Sequence, residues 1–243
     1  MEQDAGTVLY AKNIDAVVPI ASLTKLMTAM VALDADLPLH EMVVVTKEDM
    51  DRIKHTQSRL HVGAMLSRND LLRLALMSSE NRAAAALSRA YPGGRTAFVA
   101  AMNRKATQLG MWQTEFVDGT GLSSANVSTA ENLGRLVRAA YSYPLIRDYT
   151  TDSDYTATLF SGQKLHYVNT NRLVKNPQWT IGLSKTGYIS EAGRCLVLQA
   201  TIAAKPVIIV LLDSWGTLTR IGDANRIRRW MESSNRLLQA AGS

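Results

Sequence analysis

The alternation of apolar and polar positions changes character several times along the chain. Residues 7–18 alternate around the turn-prone pair Lys12-Asn13, which predicts a short β-hairpin. From Ser22 to Asp34 apolar residues recur at helical spacing without an intervening glycine or proline, so we expect a helix that begins at Ser22. A further amphipathic helix is expected near the carboxyl end, with the apolar positions Ile227, Trp230, Met231, Leu237 and Leu238.

The segments between these helices predict a mixed α/β fold. Capping boxes at Thr46-x-x-Asp49, Ser67-x-x-Asp70 and Ser128-x-x-Glu131 mark helix starts in the middle of the chain. β-rich segments follow after about residue 150. We therefore expect a single domain over residues 1–243, in which strands from both ends form a sheet and a helical lobe of about residues 35–150 is inserted between them. A cleft between the sheet and the helices is the natural place for a site.

The composition is that of a globular protein, 47% hydrophobic and 20% charged over 243 residues. The net charge of +6 is scattered and aromatic residues make up only 6%, so nucleic-acid binding is not expected. The arginine-rich face of the last helix could touch an anionic membrane loosely, although packing on a sheet explains such a helix more often. The start of the chain lacks the features of a secretory signal, which leaves a cytoplasmic protein or the mature form of an exported one.

Cysteine and histidine predict neither a disulfide nor a metal site. Cys195 is the single cysteine and lies in the apolar segment RCLVLQATIA, which indicates an inert buried thiol. The histidines lack the spacing of a zinc site, so no metal or other cofactor is expected; they are His40, His55, His61 and His166.

Ser22 and Lys25 stand one helical turn apart, so their side chains share a face of the predicted helix. A serine nucleophile needs a base for its proton, and a buried lysine with a lowered pKa can supply one. No Gly-x-Ser-x-Gly segment suggests the Ser-His-Asp alternative. Ser-x-x-Lys alone is a weak signal, because roughly one match is expected by chance. Indeed Ser161-Gly-Gln-Lys164 also matches, and there we expect only a turn.

Two further motifs follow in the chain. Ser79-Glu-Asn81 lies between two apolar helices, where its side chains can line a cleft; the alternative is that Ser79 merely caps the next helix. Lys185-Thr186-Gly187 lies on a predicted strand, where the lysine and threonine can bind a carboxylate and the glycine lets a substrate backbone approach. Together with Ser22 and Lys25, in this order, these motifs indicate serine acyl transfer.

The segments PIASLTKLMTAMVALD, MSSEN, DGTGLSSANVSTAENL and GLSKTGYISEAGRCLVL resemble the low-molecular-mass penicillin-binding proteins. Within them, the D-alanyl-D-alanine endopeptidase branch is the most similar, and the resemblance covers nearly the whole chain. It implies a five-stranded antiparallel sheet flanked by helices, with a helical lobe. It also implies a periplasmic serine peptidase that acts on peptidoglycan stem peptides and is inhibited by β-lactams. Neither the carboxyl-terminal β-domain nor the amphipathic anchor of many carboxypeptidases of this family is expected.

The same resemblance implies a role for each motif residue. Ser22 would attack the D-alanyl carbonyl, Lys25 would take its proton, and Ser79 would relay a proton to the leaving amine. The residues that would bind the substrate are Asn81, Lys185, Thr186 and Gly187. The oxyanion hole would consist of the backbone N–H groups of Ser22 and Tyr188.

Three alternatives remain open. A D-Ala-D-Ala carboxypeptidase would use the same catalytic groups. A class A-like β-lactamase would need a carboxylate for deacylation, usually within Glu-x-x-x-Asn, and neither Glu115 nor Glu131 has that pattern. The third is a non-catalytic module that binds peptidoglycan or β-lactams, although the complete set of polar groups argues against an inactive site.

Overall fold

The computed structural model describes the backbone of residues 1–241 and the side chains of residues 1–235, so Leu237 and Leu238 lie outside the described side chains. The strands are β1 (Val18–Pro19), β2 (Met42–Val44), β3 (Met65–Ser67), β4 (Val127–Ser128), β5 (Asp154–Thr158), β6 (Lys164–Val168), β7 (Thr180–Ile189), β8 (Gly193–Ile202) and β9 (Lys205–Ser214). The α-helices are α1 (Thr24–Asp34), α2 (Arg68–Met77), α3 (Asn81–Arg89), α4 (Gly94–Gln108), α5 (Ala130–Ala140), α6 (Pro144–Thr151) and α7 (Thr219–Ala241). Short 3₁₀ helices lie at Ala21–Leu23, Lys47–Asp49 and Arg172–Lys175.

The main sheet is antiparallel and has the order β7-β8-β9. Its central strand β8 is buried along most of its length, because the sheet is covered on both faces. Cys195 and Val197 point into the larger core with the helical lobe, whereas Leu196 and Leu198 point into a second core beneath α7. The register places Gly187 of β7 opposite Cys195. Mixed α/β architecture with a helical lobe is therefore confirmed.

Helix α1 runs through the larger core. Its residues from Thr24 to Ala32 are all buried, and a helix that is buried all round cannot be shifted without disturbing the packing on every side. Helix α7 instead packs Ala224, Ile227 and Met231 against the outer face of the sheet, whereas Trp230, expected on the same apolar face, is exposed. Among the described residues, no helix combines the length and apolar character needed to cross a membrane.

The expectations for the amino end are wrong. Within the described residues the main sheet has three strands rather than five, and residues 7–17 form no hairpin. Met1 and Ile208 exchange two backbone hydrogen bonds at the start of β9, with N···O distances of 2.8 and 2.9 Å. Farther along, the side chains of Val8 and Tyr10 are exposed. Their alternation meets neither a strand edge nor a buried face, and an isolated hairpin is only marginally stable.

The predicted helix starts are partly confirmed. Ser67 caps α2 by accepting a hydrogen bond from the Asp70 amide at 3.0 Å. The box at Thr46 also forms, but it opens only a 3₁₀ turn. Helix α5 begins one residue later than predicted, because Thr129 rather than Ser128 caps it.

Candidate active site

Ser22 lies where the start of α1 meets strand β7. It belongs to the 3₁₀ turn Ala21–Leu23, in which Ala21 has a left-handed φ of 48°, a conformation that costs a non-glycine residue about 1 kcal/mol or more. Gly187 and Gly121 flank the turn. A Cβ at Gly187 would stand 3.1 Å from the Ser22 nitrogen, and one at Gly121 would stand 2.0 Å from the Ala21 oxygen. The turn therefore fits between strand and loop only because both neighbours lack a side chain.

Lys25 is fully buried directly beneath the serine. Its Nζ donates hydrogen bonds to Ser22 Oγ at 2.8 Å, to Asn81 Oδ1 at 2.8 Å and to the Thr120 carbonyl oxygen at 2.7 Å. Burial lowers the pKa of Lys25 to about 7, although the negative charges of Asp118 and other nearby carboxylates act in the opposite direction. A large share of this lysine is therefore neutral at neutral pH.

The partners of Lys25 decide what its neutral form can do. A neutral amine has two N–H groups and one lone pair. The Thr120 carbonyl and Asn81 Oδ1 can only accept hydrogen bonds, so they engage both N–H groups. The lone pair then faces Ser22 Oγ, which is the one partner with a proton to donate. This geometry suits a general base.

A second buried lysine faces the same cleft from β7. Nζ of Lys185 donates to Ser79 Oγ at 2.9 Å and to the Thr186 carbonyl at 3.0 Å. Burial lowers the pKa of Lys185 well below its ordinary value, and the positive charges of Lys25 and Arg220 lower it further. Both lysine motifs are thus brought to one site from opposite walls.

Ser79 and Asn81 stand at the start of α3. Ser79 adopts a left-handed φ of 59°, and Glu80 rather than Ser79 caps the helix by accepting a hydrogen bond from the Arg82 amide. The capping alternative for Ser79 is therefore wrong. Asn81 joins two groups, because its Oδ1 accepts from Lys25 and its Nδ2 donates to Thr56 Oγ1 at 3.0 Å.

The remaining predicted residues continue along β7. Thr186 Oγ1 donates to Thr170 Oγ1 at 2.7 Å, and the Gly187 carbonyl accepts from Arg220 at 3.1 Å. Tyr188 is 57% exposed, and the guanidinium of Arg194 lies 4.6 Å from the centre of its ring. Strand β7 thus brings Gly187 against the Ser22 turn and Lys185 to Ser79, with the exposed Tyr188 next along the strand.

Comparison with known proteins agrees with this arrangement. A family model described as D-alanyl-D-alanine carboxypeptidase matches residues 1–216. A D-alanyl-D-alanine endopeptidase of Pseudomonas aeruginosa is 50% identical over 96% of the chain and 75% of its own length. An endopeptidase of the same name from Escherichia coli K12 is 48% identical over 96% of the chain and 76% of its own length. The chain belongs to the D-alanyl-D-alanine carboxypeptidase family.

A solved DD-transpeptidase structure has the same fold as this chain. The crystal structure of the Streptomyces K15 DD-transpeptidase superposes with a TM-score of 0.87 at 31% identity, covering 96% of this chain and 95% of that one. The fold class predicted from the sequence is confirmed by this match.

One part of the peptidase site was not predicted from the sequence, namely the loop that holds Thr120 against Lys25. The carboxylate of Asp118 organises it by accepting five hydrogen bonds, from the backbone of Thr120, Gly121 and Ser123 and from the side chains of Thr120 and Asn126. The segment DGTGLSSAN carried the family resemblance, but no side chain in it signalled that a backbone carbonyl would contact the base.

The competing sequence matches lie elsewhere. Ser161 lies in the turn between β5 and β6, as expected, and Lys164 begins β6 opposite Thr158. Glu131 pairs with Arg135 on α5, and Glu115 is exposed, with its backbone bridged to Val127. Neither acid contacts Ser22 or Lys25 among the described residues.

Cys195 is buried, and burial raises the pKa of its thiol to about 11. No group of metal-binding side chains occurs in the described part of the chain.

Proposed function

We propose that the chain is a serine DD-peptidase that cleaves D-alanine-containing bonds of peptidoglycan through an acyl-enzyme on Ser22. The observation that carries the proposal is the 2.8 Å hydrogen bond between Lys25 Nζ and Ser22 Oγ, at a lysine whose pKa burial lowers to about 7. The names of the endopeptidase relatives support the same substrate class.

The first half-reaction is acylation. Neutral Lys25 takes the hydroxyl proton of Ser22, and Oγ attacks the carbonyl carbon of a D-alanyl peptide bond. The backbone N–H groups of Ser22 and Tyr188 would donate to the oxyanion, and the start of a helix favours negative charge at this position. Gly187 would let the substrate lie against β7 close to the nucleophile.

The leaving group departs on the other side of the scissile bond. Ser79 would pass a proton to the departing amine, since its hydroxyl accepts from Lys185 at 2.9 Å and can donate onward. Lys185 and Thr186 would bind a carboxylate of the leaving residue, and Asn81 would hold the amide of the acyl donor. Water then attacks the ester and gives a proton to the lysine pair, while the departing Ser22 Oγ takes a proton back from Lys25, which restores the free enzyme.

We favour cleavage of cross-links over removal of a terminal D-alanine. Both reactions use the groups named above, and the support for the endopeptidase is the name shared by two relatives with 50% and 48% identity. We also propose that both lobes form a single catalytic domain, because Ser79 and Lys185 approach each other from different lobes. A periplasmic location follows from the substrate, and loose membrane contact through α7 stays a prediction.

The nucleophile is tested by intact-mass measurement after incubation with benzylpenicillin. We expect one stoichiometric adduct in the wild type and none in Ser22→Ala. An unmodified wild-type protein, or an adduct that persists in Ser22→Ala, would contradict the proposal. Nitrocefin separates the β-lactamase alternative, which predicts sustained turnover rather than a single burst.

The bond that is cut is tested on purified peptidoglycan sacculi, with separation of the released muropeptides. Loss of cross-linked dimers identifies the endopeptidase. Conversion of pentapeptides to tetrapeptides without loss of dimers identifies the carboxypeptidase. An adduct with benzylpenicillin without either change identifies the non-catalytic binding module.

A further inference from the structure

Two threonine hydroxyls meet beside β7, and only one of them belongs to a motif. Oγ1 of Thr186, on β7, lies 2.7 Å from Oγ1 of Thr170, in the segment that follows β6. Thr186 is buried, with 5% of its surface exposed, whereas Thr170 is exposed. The acyl-transfer mechanism gives Thr186 a role in binding the leaving residue and gives Thr170 none. The contact therefore joins a residue of the mechanism to one outside it.

The backbone around Thr170 is fixed by its two asparagine neighbours. Nδ2 of Asn169 donates to two carbonyls at the carboxyl end of α6, at 3.0 and 2.7 Å. Nδ2 of Asn171 donates to Ser184 Oγ on β7 at 3.1 Å, and this asparagine is buried. The Thr170 amide donates to the Met77 carbonyl at the end of α2, at 3.2 Å. The Thr170 hydroxyl is therefore presented from a backbone that α2, α6 and β7 all hold in place.

The direction of the hydrogen bond between the two hydroxyls must reverse when a carboxylate binds. In the free enzyme Thr186 donates its single hydroxyl hydrogen to Thr170. A carboxylate oxygen only accepts hydrogen bonds, so Thr186 has to turn that hydrogen towards the ligand. A hydroxyl both donates and accepts, so Thr170 can then donate to Thr186 without any movement of the heavy atoms. The contact between the two threonines is therefore kept in both states.

The reversed contact helps Thr186 in two ways. A threonine side chain has three staggered rotamers, and the contact with Thr170 favours the one that keeps Oγ1 at the leaving-group site. In addition, a hydroxyl that accepts a hydrogen bond is polarised and becomes a better donor. Both effects act on the bond that Thr186 donates, and neither needs Thr170 to touch the ligand. A side chain without a hydroxyl at this position would provide neither effect.

We propose that Thr170 is a positioning residue, which orients Thr186 and strengthens the hydrogen bond that Thr186 donates to the carboxylate of the leaving residue. This inference rests on the proposed DD-peptidase function. It adds a residue outside the three motifs to the part of the site that selects a leaving group with a free carboxylate.

The experiment compares benzylpenicillin with its methyl ester. The carboxylate of benzylpenicillin takes the place of the carboxylate of the leaving residue, and the ester has the same ring without the negative charge. The second-order rate constant of acylation is measured for both compounds by intact mass in the wild type, Thr170→Val and Thr170→Ser. We expect Thr170→Val to lower the ratio of the acid rate to the ester rate about fivefold, the effect of one hydrogen bond, and Thr170→Ser to keep the wild-type ratio.

A double-mutant cycle separates positioning from direct contact with the ligand. Thr186→Val lowers the same ratio by removing the donor itself. If Thr170 acts through Thr186, adding Thr170→Val to Thr186→Val should cause no further loss. Two losses that multiply would show that Thr170 contacts the ligand independently, which contradicts a positioning role.

Thr114→Val is the matched control, because it also removes one member of a hydroxyl pair, here with Ser128 Oγ at 2.7 Å. It should retain the wild-type ratio. A wild-type ratio near one, a ratio unchanged in Thr170→Val, or a Thr170→Ser variant that behaves like Thr170→Val would overturn the positioning role while the benzylpenicillin adduct still forms on Ser22. Failure of that adduct in the wild type would instead overturn the proposed function.

Discussion

Two loops lie near Lys25 and Ser22, and each loop is organised by its own aspartate. Asp118 accepts five hydrogen bonds within residues 118–126, and Asp51 accepts four within residues 51–56. Their surroundings differ. Thr120 and Asn126 of the first loop are buried, whereas residues 52–57 of the second loop are mostly exposed. An aspartate that accepts backbone hydrogen bonds therefore stabilises one loop inside the protein and another at its surface.

The difference in burial indicates that the two loops affect different steps of the reaction. The buried loop contacts Lys25 through a backbone carbonyl, so its position affects the proposed base directly. The exposed loop contacts Asn81 and Glu191, so its position affects what lies in the groove. We expect changes in the first loop to alter acylation of every donor and changes in the second to alter the choice among donors.

The largest effect is expected from Gly121→Ala. Its Cβ would stand 2.0 Å from the Ala21 oxygen, at a φ of 78°. Backbone must move, so we expect loss of several kcal/mol of unfolding free energy and loss of benzylpenicillin acylation. Gly162→Ala is the control, because it has a φ of 85° and nothing within 4 Å; it should cost about 1 kcal/mol and retain acylation. Similar denaturation curves for both variants would contradict the steric argument.

Asp118→Asn should have the next largest effect. The amide nitrogen that replaces Oδ2 accepts neither the Ser123 N–H nor the Asn126 side-chain N–H, so we expect the unfolding free energy to fall by about 2–3 kcal/mol. Loss of the negative charge removes an influence that raises the pKa of Lys25. Because neutral Lys25 is the proposed base, wild-type acylation should rise with pH through about 7, and this rise should move to lower pH in the variant.

The matched comparison for Asp118→Asn is Asp51→Asn, which removes a similar number of hydrogen bonds from the exposed loop. There we expect a smaller loss of stability, about 1 kcal/mol, because water replaces the lost partners. The measurement is chemical denaturation, because Asp51, like Asp118, raises the pKa of Lys25 and its replacement also moves the pH profile of acylation to lower pH. Equal losses of stability in the two variants would show that burial does not distinguish the loops.

Thr56→Val should have the smallest effect. The substitution keeps the shape of the side chain but removes the hydroxyl, which accepts from Asn81 Nδ2 and donates to Asp51 Oδ2 in the exposed loop. One neutral hydrogen bond is worth about 1 kcal/mol, so we expect a loss of about fivefold in kcat/KM for peptide donors. Thr156→Val on β5 is the control, since its hydroxyl hydrogen-bonds His166 on the neighbouring strand, away from Asn81. A loss of the same size in the control would contradict a role for Thr56.

Local signals allowed much of this site to be predicted from the sequence. Ser22 and Lys25 share a helix face by spacing alone, and the element types around Ser79 and Lys185 follow from their apolar neighbours. The Thr120 contact could not be predicted, because it joins a backbone carbonyl to a side chain 95 residues away. The roles of the motif residues stay predictions, whereas their positions around one cleft are now described.

The errors have equally particular causes. The hairpin predicted for residues 7–18 relied on alternation, but alternation forms strands only where a neighbouring edge and a buried face are present. The start of α5 was predicted one residue early because Ser128 and Thr129 both carry the hydroxyl that a cap needs. Only tertiary contacts distinguish them, since Ser128 Oγ is engaged by Thr114 at 2.7 Å.

The single cysteine can report the opening of the main sheet. Cys195 is fully buried, its pKa is raised to about 11, and it lies opposite Gly187 in the register of β7 and β8. Thiol reagents require an exposed thiolate, so the folded chain should resist alkylation until these two strands separate. The rate of thiol labelling at Cys195 therefore measures how often β7 and β8 separate. Strand β7 is the one against which the substrate is proposed to lie.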